Sequence, residues 1–499
     1  MPKLFPHLPF LDDETPVSWA GRLAALHGCP SLRAFLTDMG IRPSELLHGV
    51  RAKVERLCDV AGQDPFPVLR NTAVSTGRET FLLRNQLIPA SMLVREETRF
   101  CPLCLHEDSR PGIARRDRLA WNLRVMTTCP KHRLALIYRG REHRENMLHK
   151  LVSHVPERGD DLLALADETP RRMPSPLQSY VLARLDGHKG PQWLDGQTLE
   201  QAVKATQMLG VVMAFGMDIT LGSVDRDGWD LAGRMGWDWT EKGEPGLLAA
   251  FEKLQAGAFD RGRGGQNYFT VFGQLYRWQL EPGERADHGP IKDLLRTYIV
   301  ENMDVCVGRN LFGKVIERRF KYSVQSLALD VGLHRQTLCK VLVDRGLINA
   351  ANADKPNSIL LVDADEGRKV AEMLRGSLQQ RHLMVTMNAT LPVITNLIAL
   401  DLLTPLHRKS GQGTRAKCGF DQCQVAEVLD RLHRLAPEMP DLPADWATLT
   451  QCTKRARISM RALLELIFSG RVERIGRVQS DSGFSALRVD LDEIRQAYS

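Results

Sequence analysis

The chain has 499 residues, of which 43% are hydrophobic and 25% charged, with a net charge of +7 and ten cysteines. That length exceeds what one ordinary core organises and predicts about three or four domains. The mild positive balance tilts toward a polyanionic partner without deciding for one. No apolar run is long enough to span a bilayer, and the start Met1-Pro2-Lys3-Leu4-Phe5-Pro6 lacks the uninterrupted apolar stretch of a secretory signal. The expectation is a multidomain cytoplasmic protein without membrane contact.

In chain order, the first hundred residues read as short helices with polar breaks, Ser18 to His27, Leu32 to Met39 and Pro43 to Ala61. Residues 100 to 140 lose helical periodicity around a strand-like run, Trp121 to Met126. Here Cys101-Pro102-Leu103-Cys104 and Cys129-Pro130-Lys131-His132 form two close pairs of soft ligands. Each pair can span one edge of a tetrahedron from a tight turn, which is the arrangement a zinc ion needs. Three thiolates and one imidazole fill all four positions, so one structural Zn2+ is expected, with no open position for a substrate. The alternative is a chance meeting of four unrelated residues. The other cysteines are scattered, as suits a reducing compartment, and Cys29, Cys58, Cys306 and Cys339 are expected to be small apolar residues.

Helical patterning returns from about 155 to 300, as in Leu199 to Phe215 and Ile291 to Met303. The Arg261-Gly262-Arg263-Gly264-Gly265 run reads as a surface connection, since it lacks the Lys-Ser/Thr ending of a phosphate-binding loop.

The last two hundred residues carry a suspected repeat. Helices end in a short apolar turn (Leu347-Ile348, Leu402-Leu403, Val472), and a strand-like piece then leads into an acidic-start helix at Asp363, Asp421 and Asp490. The sharpest motif runs from Ser323 to Leu342. Ala328, Gly332 and Leu338 have helix-turn-helix spacing, with Leu327, Val331, Leu333 and Val341 along the seam. In that register the second helix exposes His334, Arg335, Gln336, Cys339 and Lys340. Arg335 and Gln336 suit base edges, whereas Lys340, Arg318, Arg319 and Lys321 suit phosphates. A helical hairpin with a solvated basic face is the alternative. Looser candidates run from Met387 to Pro405, with Thr390, Asn396 and His407 polar, and from Leu449 to Arg471, with Arg455, Arg457 and Arg461 around a helix. Either could pack against protein instead.

Three stretches carry a family resemblance. Glu14-Thr15-Pro16-Val17-Ser18-Trp19-Ala20-Gly21-Arg22-Leu23-Ala24 follows a Leu8-Pro9-Phe10 lead-in. Phe100 to Leu134 holds the Cys/His pairs. Phe272-Gly273-Gln274-Leu275-Tyr276 precedes Arg277-Trp278. With these motifs the chain resembles the TniQ family of transposition proteins, whose longer members are TnsD-like target selectors. One departure concerns metal count, because Ile137-Tyr138-Arg139 stands where many relatives carry further cysteines. Trp19 and Trp121 are assigned to packing, and Arg22 is either a buried partner of Glu14 or a solvated charge.

The resemblance implies a non-enzymatic adaptor, nucleoid-associated in a bacterial cytoplasm, that recognises a DNA target and recruits an AAA+ ATPase regulator, which in turn recruits the transposase. Double-stranded DNA, that ATPase, the transposase or a guide-RNA complex, and a second copy of the chain are the partners considered. The competing reading is an adaptor that docks a guide complex or protein with little sequence preference of its own. A nuclease or recombinase is disfavoured, since the sequence has no Walker-type loop and no obvious strand-borne carboxylate set for two-metal cleavage. The expected fold is mainly α and multidomain: a helical domain over 1–160 with its zinc segment at 100–135, a helical middle over 161–305, a helix-turn-helix module over 306–375, and two further helix-turn-helix-like or winged-helix-like modules over 376–440 and 441–499.

Overall fold

A computed structural model describes residues 3–29, 31–77, 79–109, 115–140, 151–281, 287–406, 419–441 and 443–498. His407 of the second candidate motif lies outside these residues. Helices predominate, and the strands are short and form antiparallel pairs and one three-stranded sheet. Among the described residues no helix is long and apolar enough to cross a membrane. The chain divides into an N-terminal body, residues 1–261 and 267–298, and a C-terminal body, residues 262–266 and 299–499.

The N-terminal body opens with helices Pro16–Leu26, Leu32–Asp38, Pro43–Leu47, Arg51–Ala61 and Pro65–Arg70 around Trp19, Leu23, Leu36, Leu57 and Val68. The single helix expected from Pro43 to Ala61 is broken at His48-Gly49-Val50. Gly49 has a φ of +64°, and a Cβ there would lie 2.5 Å from the Ala73 carbonyl oxygen. Only glycine fits so close an approach in that conformation. A three-stranded antiparallel meander follows (Val74–Ser75, Thr80–Leu83, Gln86–Pro89), with Phe81 opposite Ile88. Phe81, Leu83 and Ile88 join the Cys/His segment and the helices Asp160–Glu168 and Pro176–Leu185 in a second core.

Helix Leu199–Phe215 spans the residues expected of it, and Thr198 caps it in a capping box with Gln201. It packs against Arg226–Thr240 at a separation set by glycines. A Cβ on Gly210 would lie 1.7 Å from the Ala232 carbonyl oxygen, and one on Gly236 would lie 1.9 Å from that of Thr206. The Thr206 and Thr240 hydroxyls, 3.0 Å apart, bridge the same crossing. Helices Gly243–Asp260 and Phe269–Trp278 complete the layer. Within the Phe-Gly-Gln-Leu-Tyr motif, Gly273 kinks its helix with a φ of +51°, and Gln274 Nε2 donates to the Ile219 carbonyl at 2.7 Å.

The C-terminal body is built on a recurring plan. A strand at Lys321–Ser323 leads into helix Val324–Val331, a left-handed turn at Gly332, and helix Arg335–Asp344. The strand Leu361–Asp363 then pairs with the first, and Asp363 caps helix Ala364–Arg375. The second copy has strand Leu378–Gln379, helices Gln380–Thr386 and Leu391–Ala399 about a left-handed Asn388, strand Gly419–Phe420, and helix Gln422–Leu435 capped by Asp421. The third has helices Leu449–Arg455 and Met460–Phe468 about a left-handed Arg457, paired strands Ile475–Arg477 and Leu487–Val489, and helix Leu491–Tyr498, whose first amides bond Asp490.

From the residue capping the first helix to the left-handed turn is the same nine-residue step in all three copies: Ser323 to Gly332, Gln379 to Asn388, Thr448 to Arg457. Leu338, Ile394 and Leu463 occupy one equivalent position and are fully buried. The second and third copies contribute to one continuous core that includes Leu383, Leu397, Leu432, Leu464 and Phe484. The Gly/Arg run, expected on the surface, is exposed at Gly262. Gly265, however, is buried, and a Cβ on it would lie 2.4 Å from the Ser358 carbonyl oxygen.

Candidate metal centre and a basic helix surface

Two hairpin-like elements bring the Cys/His ligands together. Strand Glu97–Phe100 pairs with Ile137–Gly140, placing Phe100 opposite Ile137 and delivering Cys101 at the strand end. Cys101 then caps helix Pro102–Asp108, where Pro102 takes the first helical position and gives up no hydrogen bond by lacking an N–H. Cys104 follows in the first turn. On the other side Cys129 to Leu134 forms a tight knuckle. Cys129 N donates to the Leu134 carbonyl at 2.8 Å, Arg133 N donates to the Cys129 carbonyl at 2.9 Å, and Arg133 adopts a left-handed φ of +56°.

The ligand atoms of Cys101, Cys104, Cys129 and His132 all lie within 4.8 Å of one another. Cys104 Sγ is 3.6 Å from Cys129 Sγ. His132 Nδ1 is 3.5 Å from Cys101 Sγ, 3.3 Å from Cys104 Sγ and 3.8 Å from Cys129 Sγ. Metal–sulfur bonds of about 2.3 Å and a metal–nitrogen bond of about 2.0 Å in a tetrahedron require edges of roughly 3.5 to 3.8 Å. The residues therefore fit one tetrahedral ion, and the three cysteines are buried.

Protonation within the cluster is uneven. Hydrogen bonds from Cys101 and Cys104 hold the Cys129 thiol far below its ordinary range, while contacts with Cys101 and Cys129 push Cys104 far above it. Cys58, buried away from the cluster, is simply pushed up to about 12 by desolvation.

His132 turns its other nitrogen outward. Nε2 lies 3.1 Å from Glu107 Oε1, and Lys131 Nζ lies 2.6 Å from Glu107 Oε2. A carboxylate on the far side of a ligating imidazole fixes its tautomer and orientation. Glu107 was not singled out from the sequence, although its place three residues after Cys104, on the same helical face, is a readable signal. The run Trp121 to Met126, expected as a strand, begins instead in the last two residues of a 3-10 turn, Leu119–Asn122, and has a single bridge from Leu123 to Leu93. Asn122 Nδ2 donates to Asp117 and to the Arg118 carbonyl, which favours the turn over an extended run. Trp121 is buried there, with the Arg118 guanidinium 4.8 Å from its ring.

The N-terminal signature is tied to this segment. Arg22 Nη1 and Glu14 form a buried ion pair at 2.5 Å, which resolves the choice for Arg22 in favour of burial. Ser18 Oγ donates to Glu14 at 2.9 Å and accepts from Asp117 N at 2.9 Å, and Glu14 bridges Arg118. Trp19 is fully buried and its Nε1 donates to the Leu8 carbonyl.

On the first C-terminal repeat, His334, Arg335 and Gln336 are exposed at the start of the second helix and Lys340 is half-buried. Among the described residues neither Arg335 nor Lys340 has a carboxylate partner. Cys339, expected on the exposed face, is 6% exposed and packs inward beside Leu338 and Leu342. The register accounts for this, because Cys339 falls one residue after Leu338 on the broad buried arc that Leu338, Val341 and Leu342 define. Arg318 pairs with Asp365 at 3.3 Å and Lys321 with Asp363 at 3.7 Å. Arg319 is mostly buried; it donates to the Val305 carbonyl, faces Asp304 and Asp330, and stacks over Tyr322.

A helical protein with a closed Cys3His centre in its N-terminal part is thus defined by fold and site. Residues 5–136 match the family model described as TniQ, so this part of the chain is a TniQ domain and associates it with transposition. No curated protein matches the chain.

Proposed function

We propose that this chain is a TnsD-like target selector of a transposition system, which binds double-stranded DNA and recruits an AAA+ ATPase regulator and, through it, the transposase. The observation that carries this reading is the joining of a TniQ domain to a helical pair whose second helix presents Arg335, Gln336 and Lys340 without acidic partners. Cations left unpaired in the folded chain are free to replace the counterions of a phosphate backbone. In this reading the pair Val324–Val331 and Arg335–Asp344 is a helix-turn-helix. Arg335 and Gln336 face base edges, His334 lies at the groove entrance, and Lys340 meets a phosphate; Arg318 and Lys321 meet phosphates by exchanging their exposed partners Asp365 and Asp363. Arg319, engaged inside the fold, holds the strand that carries Lys321. The zinc ion on Cys101, Cys104, Cys129 and His132 is structural: with four protein ligands it holds two knuckles together and offers no open position. The protein acts as an adaptor rather than an enzyme and works at the bacterial nucleoid. Its functional modules follow the boundaries 1–160, 161–305, 306–375, 376–440 and 441–499.

The test sorts base contacts from phosphate contacts on the sequence the chain prefers. Arg335→Ala is expected to relax preference at one or two positions, a loss of about 1–3 kcal/mol there. Lys340→Ala is expected to weaken all sequences alike and to lower the log–log salt slope by about 0.9. Uniform losses from both variants, measured by fluorescence anisotropy over a salt series, would remove the base-reading role.

A further inference from the structure

The C-terminal repeats share one register, so equivalent positions can be compared directly. The start of the second helix is His334-Arg335-Gln336 in the first copy, Thr390-Leu391-Pro392 in the second and Ser459-Met460-Arg461 in the third. The second copy has no charged residue between Leu383 and Leu400, and its exposed side chains there include Val385 and Leu391. Nothing on that face can displace counterions. The third copy is the opposite. Lys454, Arg455, Arg457 and Arg461 are all exposed around the turn and the start of the second helix, and among the described residues none has a carboxylate partner. Three of these four cations flank the turn, where phosphates pass when a second helix enters the major groove, and Arg461 occupies the position of Gln336. Elsewhere in this body some exposed arginines are paired, as Arg495 is with Asp492, and others, such as Arg309, Arg375 and Arg471, stand singly without a carboxylate partner among the described residues. What marks the third copy's face is that four such cations gather within eight residues around one turn and the start of one helix.

We propose that helix Met460–Phe468 is a second DNA-reading helix, so that the chain grips its target at two separate blocks of base pairs, through the first and third repeats. This rests on the DNA-binding reading given above. Arg461 reads a base edge, the bidentate O6/N7 face of guanine being the chemistry that fits a guanidinium best, and Lys454 and Arg455 neutralise phosphates beside it. The helix Leu391–Ala399 of the second repeat makes no base contact.

The experiment uses the full chain and the duplex enriched by the wild-type protein from a random library, with selection repeated for each variant and thermal melting to verify folding. Arg461→Ala is expected to erase preference in one block, to cost about tenfold in affinity, and to leave the block that depends on Arg335 intact. Arg461→Lys keeps the charge and should lose the same block while retaining the salt slope. The double change Lys454→Ala/Arg455→Ala should keep both blocks and lower the slope by roughly 2. Asn396→Ala on the second repeat should change nothing. An Arg461→Ala protein with unchanged affinity and motif, beside an Arg335→Ala protein that loses its motif, overturns the second reading helix and leaves the first standing. Absence of any enriched motif for the wild-type chain overturns both.

Discussion

Cys104→Ala is expected to abolish stoichiometric zinc binding and to destabilise the N-terminal body by on the order of 5 kcal/mol, since ligand loss removes the free energy that holds a closed structural site together. The effect is large because the four ligands lie inside the core rather than beside it. Cys101, Cys104 and Cys129 pack with Phe100, Leu105, Trp121 and Leu134 in the core that also takes in the strand meander. Through Asp117, Arg118 and Ser18 the same segment holds the first helix. Loss of the centre should therefore loosen contacts as far away as Glu14 and Arg22. Cys58→Ala is the control, because Cys58 is equally buried but far from the ligands in the fold's first core. It should keep one zinc per chain and lose only the modest packing of one sulfur. Metal analysis together with thermal melting checks both variants, and a Cys104→Ala protein with wild-type metal content and stability would falsify the structural assignment.

Gly236→Ala is expected to cost about 3 kcal/mol or more and to lower the melting temperature of the N-terminal body by roughly 5 °C or more. An added methyl at Gly236 meets backbone, the Thr206 carbonyl, which cannot rotate away as a side chain would. The two helices must part, and the Thr206–Thr240 hydroxyl contact goes with them. Gly257→Ala, in helix Gly243–Asp260, has the opposite expected sign. Its Cβ would meet only the end of the Arg261 side chain at 3.6 Å, so the better helix propensity of alanine should stabilise by up to about 1 kcal/mol. Calorimetry of the two single variants tests the pair, and equal effects would contradict the close crossing.

The Cys/His cluster was legible in the sequence because its information is local: two pairs of soft ligands, each pair within one turn. The turn between helices Val324–Val331 and Arg335–Asp344 was legible for the same reason, since Gly332 marks a left-handed residue. The equivalent turns of the other copies use Asn388, a weaker mark than glycine, and Arg457, which gives none, and so the repeat was visible only as a shared outline of turn, strand and acidic cap. Long-range features were not readable. The break at Gly49 depends on the Ala73 carbonyl, and the crossing at Gly210 and Gly236 depends on a partner helix more than twenty residues away. Periodicity alone reads those glycines as weak points in helices, whereas contact makes them the positions that set helix separation. Trp121 to Met126 alternates apolar and polar residues as a half-buried strand does, but Asn122 within it finds its partners in Asp117 and the Arg118 carbonyl, and the chain turns instead. Glu107 escaped because it touches no metal ligand in sequence and acts through His132.

Selection of binding sites from a random duplex library by the purified full-length chain, at fixed moderate salt, tests the central claim most directly. The account predicts an enriched motif with preferred bases, retained affinity over bulk duplex as salt rises, and loss of part of that motif in Arg335→Ala. Binding without any enriched sequence, vanishing at moderate salt, would leave only the phosphate term and contradict the reading of this chain as a selector of DNA targets.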